Sequence, residues 1–404
     1  MMIYLSSIQG SAAAFGKCFP GARSSFVQRK RLPRHYLSAT SSAMLSAEEY
    51  DSRIQNHPLV GEHEKVQDPS KPFFPIYYND VYEVHLPENH RFPMDKYRKV
   101  RRLAQTWIES QSAEEQSQVV CEFRVSPLAT VEEITTTHSP EYVDRYLRGD
   151  LTEKELQNVG FPWSIGGVMR SLSSVGGTVA AAVSVCEALT QFPDAPVWSA
   201  HVAGGTHHAF YDYGEGFCVF SDIAVAANVV LKRYPELIRK ALIIDLDVHQ
   251  GNGNARLFQG RTDVLTFSMQ CDANYFSPKE ESDLDVELPV GCNDETYLFT
   301  LKHWLKQIEV KAGNVNLIFF QAGVDVLEQD RLGRMSLTSE GVKRRNQLVF
   351  DFAREQNVPL VITMGGGYPA RDDWTPILEA HADVYFQARQ DLARQYAAKS
   401  NIQR

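Results

Sequence analysis

The sequence predicts an α/β fold built on a single, mainly parallel β-sheet with helices on both faces. Strand-like and helix-like segments alternate along the chain from about residue 76 onward, as they do in successive βαβ units. The strand-like segments are nearly continuous apolar runs, which is the composition of strands buried on both faces. Clusters of polar residues follow several of these runs directly. Because sites in parallel sheets lie beyond the carboxyl ends of strands, these clusters form the candidate site.

Each element follows from the same pattern, taken in chain order. A strand is predicted where a short apolar run is rich in β-branched and aromatic residues, and a helix where apolar residues recur at helical spacing. The predicted strands are 197–202, 241–247, 264–269, 315–321 and 358–364. The predicted helices are 223–233, 295–310 and 339–356.

The chain is predicted to contain one large domain behind a basic leader. Residues 1–46 are rich in Ser and Ala and contain no acidic residue, which is typical of an organelle transit peptide. We therefore expect a chloroplast or mitochondrial location. The alternative is a disordered extension without a targeting role, which leaves the nucleus or the cytoplasm. Residues 47–75 are predicted to be a linker, 76–395 the main domain and 396–404 a C-terminal tail.

The net charge of the chain is −9, but the charge is unevenly distributed. Removing the six positive charges of the leader from this −9 leaves −15 for the remaining residues. Nucleic-acid binding needs clustered Lys and Arg, so we expect no direct nucleic-acid contact. An acidic body suits a cationic protein or an amine substrate better. No run approaches the roughly 18 apolar residues of a membrane span, so no membrane association is expected.

The six cysteines are scattered and form no Cys-x-x-Cys pair. This spacing argues against a disulfide framework and against a thiolate zinc site, and it is typical of a reducing compartment.

The run 241–247 ends in acidic and imidazole side chains at alternate positions, namely Asp245, Asp247 and His249. Alternate residues of a strand share one face, so these three can converge beyond the strand end. Carboxylate and imidazole groups together are suitable ligands for a divalent metal such as zinc. The alternative is a capped strand end with solvated charges.

A third metal ligand is predicted at Asp325, which follows the run 315–321. A catalytic zinc usually takes three protein ligands and keeps one position open for water or substrate. Asp247, His249 and Asp325 supply such a set from two strands. Taken alone, Asp325 could equally be a helix N-cap or a loop aspartate.

Two further polar clusters complete the candidate chemistry. His207 and His208 follow a glycine pair, and near a metal one of them offers a general base for an attacking water. Asp245 lies one pleat deeper than Asp247 and is predicted to orient one of these imidazoles. Tyr368 follows three glycines that let the backbone approach closely, and its phenol is predicted to donate a hydrogen bond to an oxyanion.

These motifs resemble the zinc-dependent histone deacetylase family, over about residues 76–389. The matching segments are 138–143, 175–178, 204–208, 216–218, 245–253, 321–325 and 365–368. The resemblance implies the arginase–deacetylase fold, with 76–395 as the catalytic domain, and hydrolysis of N-acyl-lysine in proteins or peptides, histones among them.

The resemblance also implies individual roles. Asp247, His249 and Asp325 would bind Zn²⁺. His208 would move the proton, His207 would be its electrostatic neighbour, oriented by Asp245, and Tyr368 would polarise the scissile carbonyl. The residues that would line the lysine tunnel are Phe217 and Tyr275. The residues that would hold K⁺ near the zinc strand are Asp245, Asp247, His249, Ser268 and Met269.

One departure from many family members is Asn252, which stands where they have an aspartate beside the second histidine. An amide stabilises imidazolium less than a carboxylate does, so His208 is expected to be less basic than in those members. The segments 250–253 and 330–333, and the loop 85–94, which is expected to border the pocket mouth, resemble the class IV branch and its bacterial relatives. Members of that branch can prefer long fatty-acyl groups, so a lysine defatty-acylase is an alternative.

Three other functions would share parts of this pattern. Binuclear manganese ureohydrolases share the fold, but they need a carboxylate where this chain has Gly251. An acylpolyamine amidohydrolase would have the same zinc site and would suit the acidic body. A non-catalytic scaffold predicts loss of Tyr368, of a zinc ligand or of both histidines, and all of these are present. The sequence does not identify partners in a protein complex.

Overall fold

The computed structural model describes residues 72–402, apart from residues 83, 89, 194–196 and 275–276. The predicted leader 1–46, most of the predicted linker and the tunnel residue Tyr275 therefore lie outside the described residues.

Within this part of the chain, eight strands form one sheet in which every strand pair is parallel. The strand order is β2-β1-β3-β8-β7-β4-β5-β6. The strands are β1 Phe73–Tyr78, β2 Val120–Val125, β3 Trp198–His201, β4 Ala241–Asp245, β5 Val264–Cys271, β6 Leu284–Leu288, β7 Leu317–Gln321 and β8 Leu360–Thr363. The predicted α/β class is thus confirmed, and the sheet is wholly rather than mainly parallel.

Helices connect these strands and cover both faces of the sheet. They are α1 Lys96–Glu109, α2 Ala113–Gln118, α3 Val131–Ile134, α4 Pro140–Arg148, α5 Glu153–Val159, α6 Ile165–Gln191, α7 Asp222–Arg233, α8 Asn252–Phe258, α9 Asp294–Ala312, α10 Ser339–Glu355 and α11 Thr375–Ile402. All the predicted strands and helices are present, with ends displaced by a few residues.

Two separate hydrophobic cores follow from the alternation of side chains along each strand. Leu242 and Ile244 of β4 lie in the core beneath α1, α9, α10 and α11. Their neighbours Ala241 and Ile243 lie in the opposite core, beneath helices that include α4, α6 and α7. Because both faces are covered, the central strands are apolar throughout, as the sequence pattern indicated.

Strand β1 begins at Phe73, three residues before the predicted start of the domain at residue 76. Pro75 lies inside this strand and has no backbone N–H to donate. The strand tolerates it because β1 pairs with β3 at Ile76 and Tyr77, beyond the proline.

Helix α11 continues to Ile402 and so extends into the predicted tail 396–404. No glycine or proline follows Pro376 within this helix, so nothing in the sequence ends it at residue 395.

By length and hydropathy alone, α6 is apolar enough to span a membrane. However, 61% of its most apolar window is buried inside the protein, which is the pattern of a core helix. Its small residues pack closely against loops and strands: a Cβ added at Gly177 would lie 2.4 Å from His201 Nε2.

Candidate active site

The candidate site lies at the carboxyl edge of four adjacent central strands, in the order β3-β8-β7-β4. His207 and His208 follow β3, Asp247 and His249 follow β4, and Asp325 follows β7. Tyr368 follows β8. Since parallel strands end at the same edge, four distant parts of the chain are brought together there.

Asp247, His249 and Asp325 form a compact group whose ligand atoms all lie within 4.8 Å of one another. His249 Nδ1 is 3.1 Å from Asp247 Oδ1 and 3.4 Å from Asp325 Oδ2. Asp325 Oδ2 is buried and has no hydrogen-bond partner among the described residues. One imidazole nitrogen and two carboxylates, with one buried oxygen left over, fit a metal such as zinc.

Backbone N–H groups hold the two carboxylates in place. Val248 N–H donates to Asp325 Oδ1 at 2.9 Å, and Gly366 N–H donates to Asp247 Oδ2 at 2.7 Å. A Cβ added at Gly366 would lie 2.0 Å from Asp325 Oδ2, so this close approach requires glycine. The three glycines before Tyr368 thus bring the backbone close to the carboxylates of Asp247 and Asp325.

The charges within the group are strongly coupled. Burial and the neighbouring Asp247 raise the pKa of Asp325 to about 7. Burial lowers the pKa of His249, but the adjacent carboxylates of Asp247 and Asp325 outweigh it and raise that pKa to about 10. Without a metal, the cluster therefore favours a positively charged imidazole between its carboxylates. A bound cation would replace that charge.

The two tandem histidines differ in their hydrogen-bond partners. His207 Nδ1 contacts Asp245 Oδ2 at 2.7 Å, and His208 Nδ1 contacts Asn252 Oδ1 at 2.7 Å. The two ring centroids are 4.0 Å apart. Both residues are buried. Asp245 therefore lies beside an imidazole, as expected, and is not a member of the metal group.

The pKa values of the two histidines are shifted in opposite directions. Burial lowers the pKa of His207, but the charges of Asp245 and Asp247 outweigh it and raise the pKa above its ordinary value. Burial and the positive charges of His207 and His249 lower the pKa of His208 well below its ordinary value. His208 is therefore the neutral imidazole of the pair. Its basicity relative to family members with aspartate at position 252 stays a prediction.

Asp247 and His249 lie beyond β4, which ends at Asp245, so the alternation of side chains along a strand places only Asp245. Loop hydrogen bonds place the other two residues. Asp247 N–H donates to Asp245 Oδ1 at 3.1 Å, and His249 N–H donates to Asp247 Oδ1 at 3.0 Å. Short turns closed by aspartate side chains thus bring Asp247 and His249 together beyond the end of the strand.

Tyr368 is held by two residues that the sequence reasoning gave no role. Its N–H donates to Asp330 Oδ2 at 2.6 Å, and the buried ammonium of Lys96 lies 5.1 Å from the ring centroid. Lys96 Nζ also donates to the Gly367 carbonyl at 2.9 Å. Asp330 belongs to a segment that resembled the class IV branch, whereas nothing in the pattern around Lys96 marked it as buried.

The phenol of Tyr368 remains protonated. Burial, together with the negative charges of Asp247 and Asp325, raises its pKa well above the ordinary value. A neutral phenol beside the metal group is a hydrogen-bond donor, which is the chemistry expected of it.

Aromatic rings form a cluster beside Tyr368. Phe217 lies in a tight turn with a positive φ of 70°, and the ring centroid of Phe92 is 4.8 Å from that of Phe217. The centroid of Phe92 is also 6.4 Å from that of Tyr368. Phe92 belongs to the loop 85–94, which was expected to border the pocket mouth. Phe161 also belongs to this cluster, with its ring centroid 5.3 Å from that of Phe217. The sequence did not predict a role for it.

Two residues predicted for the potassium site, Ser268 and Met269, lie on β5. Ser268 pairs with Asp245 in the register of β4 and β5, and Met269 is the next, fully buried residue. Gly251 has no room for a carboxylate, since even a Cβ there would lie 2.5 Å from Asp245 Oδ2. This crowding disfavours a second metal ligand at position 251.

Known proteins match most of this chain. A model of the histone deacetylase domain matches residues 92–383. An uncharacterized protein of Picosynechococcus sp. is 39% identical over 73% of this chain and 92% of its own length. Histone deacetylase 2 of Arabidopsis thaliana is 32% identical over 55% of this chain and 53% of its own length. Histone deacetylase 1 of Homo sapiens is 31% identical over 60% of this chain and 52% of its own length. The matches span about half the length of these two deacetylases.

A solved structure, a crystal structure of an HDAC homolog complexed with SAHA, matches with a TM-score of 0.61. The match covers 79% of this chain and 84% of that one, at 21% identity. At this identity the likeness shows the fold, which is the arginase–deacetylase fold expected from the sequence.

Proposed function

Because this chain belongs to the histone deacetylase family, we propose that it is a zinc-dependent amide hydrolase that removes acyl groups from lysine side chains. The observation that carries the proposal is the group Asp247, His249 and Asp325, bordered by a neutral His208 and a protonated Tyr368. Hydrolysis of an unactivated amide needs an activated water, a group that carries a proton and a hydrogen-bond donor to the oxyanion. These residues can supply all three.

In the proposed reaction, Asp247, His249 and Asp325 would hold the zinc. Bound there, zinc would lower the pKa of a water and polarise the acyl oxygen. His208 takes a proton from the attacking water and later gives it to the departing lysine amine. The Tyr368 hydroxyl donates to the acyl oxygen as negative charge develops on it.

The Asp245 carboxylate raises the pKa of His207 and so favours positive charge on that imidazole. His207 Nδ1 is bound by the Asp245 carboxylate at 2.7 Å, so the imidazolium is stabilised and is not free to act as a base. This difference between the two histidines supports His208 as the proton carrier.

The substrate is proposed to be an acylated lysine in a protein or peptide, with histones among the candidates. Phe217 and Phe92 offer aromatic walls for the lysine stem, and the acidic body suits a cationic partner. We also propose that the chain belongs to the class IV branch and that it binds K⁺ near Asp245 and Ser268. We propose that the protein is located in an organelle, with the nucleus or the cytoplasm as the alternative. A role in chromatin and transcription regulation would follow only in the nucleus.

The proposal is tested by incubating the purified, zinc-loaded full chain with lysine peptides that carry acyl groups from acetyl to myristoyl. Acetylspermidine is assayed in parallel, and mass spectrometry measures the free amine. We expect deacylation of at least one peptide with kcat/KM about tenfold or more above that of acetylspermidine. Protein stripped of metal by a chelator is the control and should be inactive.

Each other outcome has a definite meaning. Turnover of acetylspermidine alone would replace this proposal with an acylpolyamine amidohydrolase. A preference for myristoyl over acetyl would identify a lysine defatty-acylase within the proposed reaction. If the zinc-loaded chain binds metal but releases no amine from any substrate, the hydrolase proposal is wrong.

A further inference from the structure

A chain of hydrogen bonds runs outward from His208 through Asn252 to the carboxylate of Glu215. Asn252 Oδ1 faces His208 Nδ1 at 2.7 Å, while Asn252 Nδ2 donates to Glu215 Oε1 at 2.7 Å. The second oxygen of Glu215 accepts from the Ser277 hydroxyl at 3.0 Å. Both oxygens of this carboxylate are therefore used.

The direction of the Asn252 amide decides which nitrogen of His208 carries the proton. An amide can offer either its oxygen or its NH₂ group to a neighbour, and a neutral imidazole can answer as donor or as acceptor. If the oxygen faces Nδ1, then Nδ1 is protonated and the lone pair that can accept a proton is on Nε2. If the NH₂ group faced Nδ1, the proton would move to Nε2 and the base would be lost.

An aspartate at position 252 would not have this ambiguity, because an ionised carboxylate only accepts. Asparagine needs something else to fix its direction. Gly253 N–H contributes by donating to Asn252 Oδ1 at 3.0 Å. Glu215 contributes more strongly, because a carboxylate can bind only the NH₂ end, and hydrogen bonds to charged groups are about twice as strong as neutral ones.

The backbone around Glu215 holds the carboxylate in place. Gly216 and Phe217 have φ values of 57° and 70°, and Cys218 N–H donates to the Glu215 carbonyl at 2.8 Å. These are the features of a tight turn with two left-handed central residues. A left-handed phenylalanine is strained, so the surrounding structure must fix this turn. The same turn thus presents Phe217 to the aromatic cluster and Glu215 to Asn252.

We propose that Glu215 is a positioning residue that fixes the direction of the Asn252 amide and so holds His208 in the tautomer with its proton on Nδ1. The inference rests on the proposed function, because it concerns the proton carrier of that reaction. Glu215 acts through Asn252 rather than on the reacting atoms. It replaces the direct control that an aspartate at position 252 would exert on the histidine.

The test compares two substitutions of similar size in the full, zinc-loaded chain. Glu215→Gln keeps a carbonyl acceptor for Asn252 but removes the charge, whereas Glu215→Met removes the acceptor. We expect kcat to fall about tenfold in Glu215→Met with KM nearly unchanged, and to stay within about threefold of the unmodified chain in Glu215→Gln. Asp212→Asn, at an exposed acid on the same loop, is the matched control and should change neither constant.

A spectroscopic measurement reads the tautomer without relying on activity. In protein labelled with ¹⁵N-histidine, the His208 resonances are assigned by their loss in His208→Phe. The unmodified chain should show His208 protonated on Nδ1 alone, and Glu215→Met should show a mixture of the two tautomers. Retention of the Nδ1 tautomer and of normal kcat in Glu215→Met would overturn the proposal. A loss of kcat in Glu215→Met or Glu215→Gln while His208 keeps the single Nδ1 tautomer would also overturn it, because the loss would then not come from the tautomer.

A double substitution distinguishes the proposed positioning role from a merely structural role of Glu215. In Glu215→Met/Asn252→Asp the new carboxylate accepts from His208 Nδ1 without help, so the single tautomer and most of kcat should return. In Asn252→Asp alone, two carboxylates would face each other, so that variant should be less active than the double one. The reverse order would contradict the proposal. If the unmodified chain releases no amine, the proposed function fails, while the tautomer measurement still tests the role of Glu215.

Discussion

Tyr368 shows how much of the site is set by the surroundings of single residues. Its phenol is kept protonated by burial and by the charges of Asp247 and Asp325. Its position depends on Asp330, which binds its N–H, and on Lys96, which binds the loop beside it. The sequence predicted the tyrosine because three glycines precede it. Lys96 gave no comparable signal, because a lysine in an amphipathic helix is usually solvated.

We expect Tyr368→Phe to lower kcat by about 10²–10³-fold, because it removes the donor to the developing oxyanion and leaves the ring in place. Zinc content should be unchanged, since the phenol is not a metal ligand in the proposed site. Steady-state kinetics and elemental analysis of the purified variant measure both quantities. Near-normal turnover would rule out the oxyanion role.

The short helix α5 shows how an element outside the site supports it. Thr152 and Glu155 form a capping box at its start, and Arg145 binds the Glu155 carboxylate. At its other end, the Val159 carbonyl accepts from Phe217 N–H at 2.8 Å. The helix therefore anchors the turn that presents Phe217.

Glu155→Gln should destabilise the domain at neutral pH. The Arg145 hydrogen bond and the Thr152 cap lower the pKa of Glu155 to about 2 in the folded state. The stabilisation is therefore present above the unfolded pKa of about 4.3 and is lost as the pH falls towards 2. We expect Tm at pH 7 to fall by about 2 °C, with the difference from the unmodified chain shrinking below pH 4. Calorimetry across this pH range measures it.

Glu153→Gln, on the same helix but outside the capping box, is the control and should show a smaller difference. If the Tm difference for Glu155→Gln is the same at pH 7 and pH 3, then ionisation of Glu155 does not contribute to stability.

The strands that the sequence predicted are those with the strongest apolar signal. Strands β4, β7 and β8 are buried at every position and so have continuous apolar runs. The edge strands β2 and β6 were missed, because an edge strand is partly exposed and keeps polar residues such as Glu122 and Glu287. Long contacts such as that between Glu215 and Asn252 had no pattern in the sequence, because they depend on the turn geometry of two separate loops.

At the scale of the whole molecule, metal binding and stability are linked. The proposed zinc ligands come from loops after β4 and β7, and Asp325 Oδ2 is buried without a hydrogen-bond partner among the described residues. A ligand that binds only the folded state stabilises it by mass action. The proposed metal therefore joins two strands of the sheet.

Zinc added at about a hundredfold excess over its Kd should raise Tm by roughly 4 °C, from the linkage relation and the usual unfolding entropy of a domain of this size. Asp325→Asn should abolish most of this shift without unfolding the metal-free protein, because it removes one of two crowded carboxylates. Thermal scans with and without a chelator measure both effects. A shift of the same size in the variant would show that Asp325 is not a ligand.

The position of β8 in the sheet has a consequence for biosynthesis. This strand pairs with β3 on one side and β7 on the other, yet it is the last strand of the chain to be made. Until it leaves the ribosome, β3 and β7 each have an unpaired edge, and unpaired edges invite association with other chains. We therefore expect the nascent chain to expose these two edges until residue 363 has emerged, and the candidate site cannot form before that point.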